Sequence, residues 1–158
     1  MKTLKIGEKE YSLEFSFAAA EHKALVQNMF NVMSGAYIVK NSVGAVADKE
    51  STTTAMINGV SEMVADIPQI CRVAFYGGLL ENNPVKEDEA KELMKQYMME
   101  NKMSFHRLFE ELKQCMEDDG FFDLSGLTEM IQSMNSAAEN QVEKVQNGTA
   151  DKKSTSTK

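Results

Sequence analysis

A mainly helical α+β fold, with an N-terminal β-hairpin packed on a multi-helix bundle around a central apolar helix, is what this sequence predicts. Three observations predict it. Residues 2–16 alternate polar and apolar side chains with the period of a strand. From Phe17 onward apolar residues return at the three- and four-residue spacing of helices. Between them, residues 66–82 run apolar for more than three turns with Arg72 as the one basic residue. A helix that is hydrophobic nearly all round has to be covered by other elements.

Taken in order, Leu4 and Ile6, then Tyr11, Leu13 and Phe15, form the apolar face of a hairpin with Gly7-Glu8-Lys9-Glu10 between its strands. An isolated hairpin is marginal in water, so this face is expected to rest on helices. Ser16 is placed to cap a helix reaching Met33, with Leu25, Val26, Met29, Phe30 and Met33 toward the core and Ser34-Gly35 as its stop. Residues 36–50 carry a weak signal: Tyr37, Ile38 and Val39 could open a short helix or strand, Asn41, Ser42 and Gly44 are breakers, and the stretch reads as an irregular or mobile connection. Met56, Ile57, Val60, Met63 and Val64 repeat at three- and four-residue steps and give a helix over residues 52–65. Pro68 predicts a break before the central helix, with Asp66 as the cap of its first turn. Gly77-Gly78 either ends that helix or admits another backbone closely.

Residues 87–102 form the next helix, its stripe made by Ala90, Leu93, Met94, Tyr97 and Met98, with acids in the first turn where the helix dipole favours them. Ser104 caps another, with Phe105, Leu108, Phe109, Leu112, Cys115 and Met116 on one face and Gly120 as the stop. Leu124, Leu127, Ile131, Met134, Ala138 and Val145 mark a last helix on a near-heptad seam. One domain is expected over residues 1–146, with the hairpin within 1–16. Residues 147–158 are expected to be a disordered polar tail, too poor in large side chains to offset their ordering entropy.

The balance of charge narrows function. A net charge of −7 argues against nucleic acid and anionic membranes, which select clustered Lys and Arg. The N-terminus lacks the apolar run, about 7 to 15 residues, of a signal peptide. The central stretch falls short of the roughly 20 residues that cross a bilayer. A cytoplasmic protein is expected. Cys71 and Cys115 lie on apolar helical faces and read as small core residues. Asn147-Gly148-Thr149 matches a glycosylation pattern by chance.

No catalytic, cofactor or metal site is legible, and no enzyme is expected. His22 and His106 stand alone on their helices, without a ligand at i+3 or i+4. The Gly77-Gly78 pair lacks the spacing and the Lys of a phosphate loop. Aligning Gly126 with the sixth position of a calcium loop puts Phe121 and Gln132 at its ends, where acids are needed, so residues 117–126 read as a turn between helices. Methionine is the unusual count, twelve in all. Met94, Met98, Met99 and Met103 either fill core gaps or form a deformable partner-binding surface. Met98 and Met99 are adjacent and cannot share one face, which favours some exposure.

The order of segments, KTLKI and EYSLEF running into FSFAAAEHK, then IPQICRVAFYGGLLENN, EAKELMKQYM and FEELKQCMEDDGFF, resembles the tail assembly chaperones of long-tailed, siphovirus-type phages of Gram-positive bacteria. The similarity spans Lys2 to Asp123 and contains no catalytic signature. It implies a non-enzymatic protein that binds the tape measure protein and tail tube subunits in the host cytoplasm and is absent from the mature virion. It also implies a product made in two lengths by frameshifting, for which Lys152-Lys153 offers a codon context. Self-association through the methionine surface is expected as well. The alternative reading is a small helical regulatory or adaptor module that binds a host protein.

Overall fold

The computed structural model describes residues 1–42 and 49–137. Strands β1 (Lys2–Ile6) and β2 (Lys9–Leu13) pair antiparallel, with Ile6 opposite Lys9 across a two-residue turn. Gly7 takes φ +61° in that turn, a conformation glycine adopts without steric cost. The predicted alternation places Leu4, Ile6, Leu13 and Phe15 in the core. Hydrogen bonds fasten the hairpin to the rest of the fold, among them one from the Gly7 N–H to the Glu100 carboxylate. Glu14 N–H donates to Gly78 O (2.8 Å), Ser12 N–H to Asn83 Oδ1 (2.7 Å), and Phe15 N–H to Asp119 Oδ2 (2.9 Å).

The expected helix from Ser16 to Met33 is two helices, α1 (Phe17–Ala20) and α2 (Lys23–Met33). The Ser16 hydroxyl does not cap; it donates to Glu81 Oε2 at 2.7 Å. His22 breaks the run and caps α2, its Nδ1 accepting the Leu25 N–H at 3.3 Å while its ring meets Tyr76 edge-on. Leu25 and Met29 are buried, whereas Met33 is exposed, against expectation. Of the short helix or strand that Tyr37, Ile38 and Val39 could open, the helix forms: α3 (Ala36–Ser42) packs on the following helix, and residues 43–48 of that stretch lie outside the described residues.

The largest departure is in the middle. Residues 52–65 and the apolar core stretch are one 31-residue helix, α4 (Lys49–Leu79), with Pro68 inside it. Asp66 is therefore mid-helix and caps nothing; its carboxylate accepts the Tyr37 hydroxyl. Pro68 lacks the N–H that would reach Val64 O, and it stands at an exposed position of the helix. Gly77 and Gly78 do not end the helix. A Cβ on Gly78 would sit 2.9 Å from Leu13 Cδ2 and 3.0 Å from Phe15 Cζ, so the glycine is where hairpin and helix touch.

Helices α5 (Glu87–Glu100) and α6 (Phe105–Asp118) follow as expected, α6 capped by Ser104 Oγ accepting the Arg107 N–H. Phe105 is nevertheless exposed rather than core-facing. Gly120, at φ +71°, stops α6. The stretch read as a turn contains α7 (Phe121–Leu124), whose Phe121 and Phe122 are core residues. Gly126, at φ +74°, then separates α7 from α8 over residues 127–137, so the last helix starts after Leu124. Only Leu127 of the expected seam is buried there; Ile131 is half-buried and Met134 exposed. Ala138, Val145 and the tail expected over residues 147–158 lie outside the described residues.

The core closes where α4 beyond Ile67 meets the hairpin, α1, α2, α5 and α6. Phe75, fully buried, lies 6.3 Å from the Tyr97 ring, and Phe15 meets Phe121 edge-on.

Candidate functional site

At a rise of about 1.5 Å per residue, α4 is about 46 Å long while the 14-residue α5 and α6 reach only about 21 Å each. They cannot cover it. Ile57, Val60, Val64, Ile67, Cys71, Ala74 and Gly78 follow at alternating three- and four-residue steps, the spacing of a coiled-coil seam. Its two halves have different surroundings. From Ile67 onward the seam is buried: the Cys71 thiol donates to Phe105 O at the start of α6, and neighbouring Phe75 packs on Tyr97 of α5. Before Ile67 it is open, with Ile57 64%, Val60 47% and Val64 55% exposed, and Met56 49% exposed beside them.

On the opposite side, α3 covers this half of α4. Ala55 and Gly59 are the buried residues of the stretch 52–66, and a Cβ on Gly59 would lie 2.8 Å from Ile38 Cα and Tyr37 O. The Lys40 ammonium pairs with Glu62, and the Tyr37 hydroxyl donates to Asp66 at 3.1 Å. Burial, then the Asp66 hydrogen bond, push the Tyr37 phenol up to about 12. Glu62 and Asp66 are thus engaged on the α3 side, and residues 51–61 contain no charged side chain. The open seam is an apolar, uncharged strip.

The four methionines singled out from the sequence do not make one surface. Met94 is buried, Met98 and Met103 are partly buried against the core, and Met99 alone points outward, 80% exposed. The seam residues are legible in the sequence as apolar and periodic, but the break that Pro68 suggests hides the length of α4 and with it the exposure of this half. The charge-free run at residues 51–61 was the signal available.

Other features have simpler structural roles. Burial pushes the Cys71 thiol up to about 12 and raises that of Cys115, so neither is poised as a thiolate. No cluster of His, Cys, Asp and Glu that could hold a metal occurs among the described residues, nor a helix long and apolar enough to cross a membrane. A groove of about 470 Å³ runs between α2 and α8, with Val26, Phe30, Leu127 and Met130 in its walls and Lys23 at its edge. In comparisons with known proteins, no family model, curated protein or solved structure matches this chain.

Proposed function

We propose that this protein is a tail assembly chaperone of the kind its sequence resembles, a non-enzymatic chain that holds the tape measure protein and tail tube subunits in the host cytoplasm and leaves before the virion is complete. The observation that carries the binding role is the open half of the α4 seam. β-Branched side chains at heptad spacing offer knobs and holes to another helix, and an exposed contiguous apolar strip is the usual mark of an interaction surface. A long helical tape measure segment has the shape this strip accepts. The phage assignment itself rests on the sequence resemblance.

Co-expression with a tape measure protein tests the reading. The expected result is an elongated co-complex whose yield falls about tenfold or more in Ile57→Glu, because a carboxylate buried without a partner is costly. Absence of any complex with tape measure or tube protein would contradict the assignment and favour the adaptor reading.

A further inference from the structure

We infer that α3 is a strap that lifts from α4 as a unit, turning about Gly35, while the rest of the fold stays closed. The inference concerns the covered side of α4 and does not depend on what docks on its open seam. Hinge, strap and seat each point to it.

The hinge is the turn between α2 and α3. Gly35 takes φ +69°, a conformation open to glycine without steric cost, and a Cβ built on it would meet nothing within 4 Å, so the turn has room to change. Beside it the Ser34 hydroxyl is buried without a hydrogen-bond partner. An unpaired buried hydroxyl disfavours the closed state, and opening the turn gives it water.

The strap is weakly held. Both strands and each of the other helices contribute at least one buried residue to the core, whereas residues 36–40 contribute none and Val39 is 61% exposed. Lifting such an element exposes little apolar surface, and elements of this kind open at free energies well below that of global unfolding. The polar ties to α4 lie at the surface: the Tyr37 hydroxyl donates to Asp66 Oδ2, and the Lys40 ammonium pairs with Glu62. Solvent-exposed pairs hold only weakly.

The seat is close-fitting but small. α3 rests on Gly59, where a Cβ would come 2.8 Å from Ile38 Cα, and Ala55 lies one turn earlier on the same face. Glycine and alanine let the two backbones approach but bury little side-chain area. The helix beneath is anchored in the core from Ile67 on, so α3 can leave without unwinding the body of the fold. With α3 down, this half of α4 is open along its seam alone; with α3 lifted, it is approachable from both sides.

The full chain by itself tests the strap. In native-state amide exchange, Val39 and Lys40 should open through an event nearly insensitive to low urea and about a hundredfold more often than residues 67–79. Tyr37→Phe combined with Lys40→Gln should lower protection in α3 about tenfold and leave residues 67–79 unchanged, since a hydrogen bond and an exposed ion pair are lost together. Fraying of α3 on its own would not respond to these side chains. Ala55→Cys should react with a thiol reagent about tenfold or more faster than the native Cys71, which is fully buried in the core, and faster again when combined with the two α3 substitutions. Exchange of Val39 and Lys40 through global unfolding alone, wild-type protection of α3 in the doubly substituted chain, or labelling of Ala55→Cys no faster than that of Cys71 would each overturn the inference.

Discussion

Phe75 contributes more to the core than any surface residue can, being fully buried against Tyr97. Phe75→Ala should cost about 3 to 5 kcal/mol in urea melts; a loss under about 1 kcal/mol would mean the centre of the fold is elsewhere. Tyr97 gives a pH test. Burial first, and the hydrogen bond it donates to Glu111 second (2.6 Å), hold its phenol above the ordinary value of 10.0. The folded chain keeps this proton where the unfolded chain releases it. The stabilisation is thus fully present below pH 10 and is lost as pH rises through the unfolded value toward the folded one. Tyr97→Phe should lower stability at pH 7 by about 1 kcal/mol through the lost hydrogen bond, and its stability should fall less steeply than that of the wild type above pH 10. Identical slopes in alkaline urea melts would contradict this. Phe75 and Tyr97 were both legible as core from apolar spacing. Phe121 and Phe122 were not, because two aromatics beside Asp118, Asp119 and Gly120 look like part of a polar turn until α1 and α6 are in place around them.

Among the elements, α4 carries the most instructive difference between sequence and structure. Proline inside a helix removes a hydrogen bond at a cost of about 3 kcal/mol, and local propensity accordingly predicts a break at Pro68. The helix continues because Ile67, Ile70, Cys71 and Ala74 bury on one side of that point while α3 supports the other. Pro68→Ala, at an exposed site, should therefore stabilise the protein by about 1 to 3 kcal/mol in thermal or urea melts; a destabilisation would mean that the proline is needed where it stands. Gly59 should respond in the opposite way. Alanine in place of a helical glycine ordinarily gains up to about 1 kcal/mol, yet here the Cβ meets the α3 backbone at 2.8 Å. Gly59→Ala should destabilise by about 1 to 3 kcal/mol and loosen α3, seen as faster amide exchange there. The hairpin, α5 and α6 were readable because each carries its own pattern, cap and stop. The division of α1 from α2 was not, since it depends on the His22 cap and its contact with Tyr76.

At the scale of the molecule, one long helix takes part in two surroundings, serving as core on its C-terminal half and as an open seam on its N-terminal half. Sequence pattern alone does not separate these, because both halves repeat apolar residues at the same spacing; the distinction lies in how much length α5 and α6 provide to cover them. Amide hydrogen exchange along α4 tests this most directly, measured on dilute protein with and without a tape measure segment. The account predicts protection near the global limit over residues 67–79 and faster exchange over residues 52–64, with the slow-down on adding the segment confined to the latter. Equal protection along the whole helix in dilute protein, unchanged by the segment, would contradict it.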